Sequence, residues 1–112
     1  MMSNRRPSVA ELFDLLGHPR RRAILLMIAL APDDGITLRT VAEVVYAAEH
    51  DVTPTRAPTR EVTTLRGNLT RSHLEKLEDA GLITVHHGDR LAAGPSFGLA
   101  LCVIALGHAG DS

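Results

Sequence analysis

Ser72-His73-Leu74-Glu75-Lys76-Leu77-Glu78-Asp79-Ala80-Gly81-Leu82-Ile83 is the stretch on which the fold of this chain turns. Leu74, Leu77 and Ala80 recur at helical spacing with charges between them, and Gly81 reads as a C-cap with Leu82 placed to pack back. Ile83-Thr84-Val85-His86 then reads as a short strand, His87-Gly88-Asp89 as a turn, and Arg90-Leu91-Ala92-Ala93 as the returning strand, broken by Gly94-Pro95. Upstream, Val62, Leu65 and Leu69 continue the helical spacing, so one helix is predicted from 60 to 80, with Thr59 as its cap. Gly67 is its weak point, costing about 1 kcal/mol relative to Ala, and a kink or break is expected there.

Further toward the N-terminus, Ser8-Val9-Ala10-Glu11 is a capping box, and a helix follows over 9–16. Pro19 suits the first turn of a second helix over 19–31, ended by Pro32. Arg20, Arg21 and Arg22 fill that first turn, where the helix dipole prefers acids, and a misfit repeated three times hints at a use. Asp33-Asp34-Gly35 is a turn, Thr37 an N-cap, and 38–49 a third helix. His50 to Thr59, HDVTPTRAPT, reads as a loop insertion that is long for a compact domain. Beyond the strands, Ser96 to Ala109 is a last helix, apolar on nearly every side; such a helix has to be buried, and a second subunit is the expected cover.

A chain of 112 residues is the size of one domain. Hydrophobic residues make up 45% but aromatics 3%, so the core has to be aliphatic, which suits packed helices. The single cysteine, Cys102, allows no intrachain disulfide and points to a reducing, cytoplasmic location; a buried inert thiol is its default reading. Met1 to Pro7 is polar, read as a disordered tail and not as a signal peptide. The longest uncharged apolar run, Phe97–Gly107, is too short to span a bilayer, so no membrane partner is expected. Net charge is −1, which argues against a strongly basic nucleic-acid binder, but the charge is segmented. Residues 1–30 and 52–71 are each net +3, whereas 31–51 is net −4 and 72–90 net −2. Folding could gather the positive segments on one face. No phosphate-cradling glycine loop, nucleophile elbow or metal-spaced His–Glu motif occurs, so neither an enzyme nor a cofactor is expected.

The predicted order of helices, hairpin and terminal helix is that of a winged helix-turn-helix, and particular residues resemble the ArsR-like regulators. Leu16-Gly17-His18-Pro19-Arg20-Arg21-Arg22-Ala23-Ile24-Leu25 resembles their opening helix, and Leu38-Arg39-Thr40-Val41-Ala42-Glu43 their second. Ser72 to Ile83 resembles the end of their recognition helix and the start of the wing. The whole is most similar to a group of small haloarchaeal winged-helix proteins, over about residues 10–93. The chain departs from that pattern in its 50–59 insertion, in Arg71-Ser72-His73-Leu74 where Ser-Arg-His-Leu is usual, and in lacking the paired cysteines of metal-sensing members. The resemblance implies a mainly α fold with a small β-hairpin wing, a winged helix-turn-helix over 8–94; outside it the residues themselves read as a disordered tail over 1–7 and an added C-terminal helix over 95–112 for homodimerisation.

It also implies a transcriptional regulator that binds double-stranded DNA with its recognition helix in the major groove. Asn68, Arg71 and Ser72 are then the first candidates for base contact, with Arg66 and Thr70 beside them; Arg can pair with guanine and Asn with adenine. Arg20, Arg21 and Arg22 would grip phosphates, although one of three consecutive helical residues has to point inward. Arg90 would touch a phosphate or a minor groove from the wing. The plainer alternatives are a solvated helix face, arginines paired with acids, and a solvated wing around His86, His87 and Asp89. His73 reads as a core or interface histidine. The rival function is a winged-helix module that binds protein and not DNA; it gains if Asp33, Asp34, Glu43 and Glu49 neutralise the arginines.

Overall fold

Each helix begins and ends where local chemistry dictates. The computed structural model describes residues 6–110, so residues 1–5 of the expected tail and residues 111–112 of the expected C-terminal segment lie outside the described residues. Ser8 Oγ accepts from the Glu11 N–H (3.1 Å) and Glu11 Oε1 from the Ser8 N–H (2.8 Å), closing the capping box of helix α1, Val9–Leu15. Pro19 opens α2, Pro19–Leu30. Thr37 Oγ1 accepts from the Thr40 N–H (3.2 Å) to cap α3, Leu38–His50, which ends at Asp51 in the left-handed conformation. The 50–59 insertion is partly ordered as a 3₁₀ turn at Pro54–Arg56.

The predicted 60–80 helix forms, but its irregularity is not where the glycine suggested. Helix α4, Thr59–Leu69, runs through Gly67 without a break. It passes into a π-helical segment, Thr70–Leu74, and then into α5, Glu75–Asp79, with helical dihedrals at both junctions. Pro58 is its N-cap, making no side-chain cap bond, and Thr59 is already helical.

The strands are β2, Ile83–His86, and β3, Arg90–Ala93, paired antiparallel as predicted, with Val85 opposite Leu91. A third strand was not foreseen. Ile36 and Thr37 form β1 and pair antiparallel with Leu91 and Arg90, giving the order β1-β3-β2. Gly35 makes that approach possible: its φ is +92°, and a Cβ there would run into the Leu91 carbonyl. The Leu38 N–H donates to the Asp89 carbonyl (2.6 Å), tying the start of α3 to the hairpin turn.

The result is mainly helical with one small antiparallel sheet. Its core is aliphatic, as the composition predicts: Leu12, Ile24, Leu25, Val41, Leu69, Leu77 and Leu91 are fully buried. Each such side chain contributes at most about 1.5–3 kcal/mol. Helix α6, Phe97–Gly110, lies against α1 and α2 and buries Ala100 and Val103. Its other side is open. Leu106 is exposed, and so is Cys102, which corrects the expectation of a buried thiol. No described helix is long and apolar enough to cross a membrane.

Candidate nucleic-acid interface

The three arginines at the head of α2 point in three directions, as consecutive helical residues must. Arg20 reaches α3 and α4. Its Nε donates to Glu49 Oε2 (2.7 Å), its Nη2 to Glu49 Oε1 (2.8 Å) and its Nη1 to Asn68 Oδ1 (2.8 Å). The hydrogen bond from Arg20, then its charge, holds the Glu49 carboxyl below the usual carboxylate range, and the same pairing raises Arg20. Arg22 donates to the Leu16 carbonyl (2.7 Å).

Arg21 is the inward member, 5% exposed. It donates from Nε to His73 Nδ1 (3.0 Å), from Nη1 to the Leu15 carbonyl (3.2 Å) and from Nη2 to the Ser72 carbonyl (3.3 Å). A guanidinium only donates, so His73 Nδ1 has to accept, and the ring is neutral with its proton on Nε2. Burial first, then the charges of Arg21, His18, Arg20 and Lys76, lowers the His73 pKa. His73 is thus the core histidine the sequence suggested. Of the arginines expected to grip phosphate, Arg21 is the one that lies inside the fold, while Arg20 and Arg22 are half-buried and spend donors on internal partners.

Along α4 the burial pattern sets an exposed face. Val62, Leu65 and Leu69 point inward. Arg60, Thr64, Gly67 and Arg71 recur at helical spacing on the opposite side. Gly67 leaves room for its neighbour: a Cβ there would lie 2.9 Å from Arg71 Nη1. Arg71 and Thr70 are exposed, while Arg66, Asn68 and Ser72 flank the face half-buried. Thr70 Oγ1 donates to the Arg66 carbonyl (2.9 Å), and the Arg66 Nε is buried with no partner among the described residues.

Arg90 lies on β3. It donates from Nη1 to the Asp34 carbonyl (3.3 Å) and lies 3.9 Å from Asp34 Oδ2, clasping the hairpin to the turn before β1. At the hairpin tip, Thr84 Oγ1 and His86 Nε2 share a hydrogen bond (3.0 Å).

A family model for a domain of unknown function, DUF7344, matches residues 13–92. The chain belongs to the DUF7344 family. The DUF7344 span reaches from α1 into β3, so it contains every candidate residue and leaves α6 outside. No curated protein and no solved structure matches the chain.

Within the DUF7344 span the arginines sort into two sets. Arg20, Arg39 and Arg90 lie against Glu49, Glu43 and Asp34, and Arg21 and Arg22 bond backbone carbonyls. The side chains of Arg56, Arg60, Arg66 and Arg71 donate to no described residue. Sequence reasoning found Arg66 and Arg71 and missed Arg56 and Arg60. The signal for Arg60 was present, four and eleven residues before Thr64 and Arg71 on one helix face. Glu49 carried none, because nothing in spacing pairs residue 49 with residue 20.

Proposed function

We propose that this protein is a winged-helix DNA-binding regulator, without catalytic activity, that meets double-stranded DNA with the exposed face of α4 and the π-helical segment. One observation carries the proposal: the arginines of the DUF7344 span whose side chains donate to no described residue, Arg56, Arg60, Arg66 and Arg71, all belong to the stretch 56–71. Arg60 also stands in the first turn of α4, where the helix dipole disfavours a cation, so an external anion would relieve the mismatch. Arg60, Thr70 and Arg71 serve as leading contacts, Asn68 and Ser72 as flanking ones. Arg20 and Glu49 act behind them. Arg90 is a secondary phosphate contact at the sheet.

The protein acts as a homodimer through α6. In support, Phe13 and Leu26, 51% and 47% exposed, line a groove between α1, α2 and α6, and Leu106 on α6 is 67% exposed. A dimer would present two copies of the α4 face to two half-sites. Cytoplasmic location follows from this role.

The deciding experiment is fluorescence anisotropy of the purified protein on a pool of genomic DNA fragments across a salt series, with Arg60→Ala/Arg71→Ala beside it. Binding is expected to fall with salt, and the double variant to bind more weakly with a log–log slope shallower by up to about two. Folded protein that binds at no salt concentration rejects the proposal. The second reading, a protein-interaction module, would then take its place; what favours it is the neutralisation of Arg20, Arg39 and Arg90 by carboxylates.

A further inference from the structure

Asn68 was expected to read adenine, the usual partner of an asparagine amide. An adenine edge in the major groove offers an acceptor, N7, and a donor, the N6 amino group, so a bidentate asparagine needs its oxygen and its nitrogen both facing the base. The surroundings of Asn68 already engage one of those two atoms.

Arg20 Nη1 lies 2.8 Å from Asn68 Oδ1. The two amide atoms are alike in shape, but a guanidinium carries donors alone, so the atom facing it has to be the oxygen. Arg20 cannot easily turn aside, because Nε and Nη2 are held by the two oxygens of Glu49 at 2.7 and 2.8 Å. This fork-to-fork pairing is geometrically specific. Three elements take part: Arg20 from α2, Glu49 from α3 and Asn68 from α4. The amide is left with its Nδ2 donors, and with one Oδ1 lone pair that lies beside the Arg20 cation. An adenine amino group presented to the remaining lone pair of Oδ1 would also approach the Arg20 cation donor-first. Guanine meets the same surroundings with two acceptors, N7 and O6.

We infer that the Arg20–Glu49 pair fixes Asn68 as a hydrogen-bond donor and so sets its preference to guanine over adenine. This rests on the DNA-binding reading above and adds to it a specificity-determining residue with two positioning residues behind it. Arg20 and Glu49 touch no base; they act through the orientation of one amide.

Selection from a randomised double-stranded DNA pool by the full chain, followed by sequencing, tests this with Asn68→Ala, Arg20→Met and Arg20→Lys in parallel. The unaltered protein is expected to enrich sites with guanine at one position, and Asn68→Ala to lose the preference there while the remaining positions stay. Arg20→Met keeps the side-chain volume without a donor, and is expected to turn that position toward adenine by about 5–150-fold in the guanine-to-adenine ratio, the worth of one bidentate pair. Arg20→Lys retains a donor and is expected to keep guanine. Neither Arg20 nor Asn68 belongs to the buried core, so these changes remove no core side chain, and circular dichroism of each variant checks that the fold is kept. Adenine at the Asn68-dependent position in the unaltered protein, no such position, or a preference unmoved by Arg20→Met would overturn the inference while the DNA-binding reading stands. Folded protein that enriches no sequence and binds no DNA overturns both.

Discussion

Protonating His73 costs more in the folded chain than in the unfolded one. The folded ring gives up its bond from Arg21 Nε and places a second positive charge 3.0 Å from a buried guanidinium. Its folded pKa is therefore below the ordinary 6.5, and between the two values the unfolded chain holds more protons. Stability contributed by the neutral ring is complete above about pH 6.5 and is lost as pH falls toward the folded pKa. Urea denaturation at pH 7.5 and 5.5 should give a lower midpoint at the acidic pH, and His73→Gln, which can still accept from Arg21, should shrink the difference. The inward fate of one arginine in the run was legible from helical geometry alone. Which one it would be was not, because its acceptor lies 52 residues further along the chain.

At the scale of the element, Gly67 separates stability from the exposed face it sits on. Alanine at that position should stabilise α4 by up to about 1 kcal/mol, since glycine is the poorer helix former. The added Cβ meets the tip of a long side chain, Arg71 Nη1, which is able to move away. Thermal or urea unfolding of Gly67→Ala should thus show an equal or higher midpoint, while displacement of Arg71 weakens DNA binding in the anisotropy assay several-fold. Elements of this kind were readable where periodicity is long. The helices and both hairpin strands lie within one or two residues of their predicted bounds. The two-residue β1 is too short to alternate, and it exists because Gly35 lets the chain approach Leu91. The π-helical segment left no trace either. Its extra residue per turn lies between well-placed apolar positions, whereas propensity predicts a break three residues earlier, at Gly67. The exposed face of α4 followed from spacing; its lack of internal acid partners depended on the placement of α2 and α3.

For the whole molecule, the open side of α6 leads to a measurable size. If the groove bordered by Phe13, Leu26 and Ile104 is covered by a second copy, light scattering should give twice the mass of the chain, and Leu26→Glu should return it to the monomer value with its helical content kept. A monomeric unaltered protein would remove the two-half-site arrangement and leave single-site binding. The fold also has a consequence in time. Its last elements close its first: β3 pairs with β1, α6 lies on α1 and α2, and Arg21 finds its partner in the π-helical segment. During synthesis from the N-terminus, Ile24 and Leu25 emerge long before Leu91 and Val103 arrive to seal the same core. Early helices alone cannot complete this domain. A nascent chain stalled before β3 should be a client for chaperones and a substrate for proteases, and refolding of the intact chain should be paced by these distant pairings, more slowly than in a bundle of neighbouring helices.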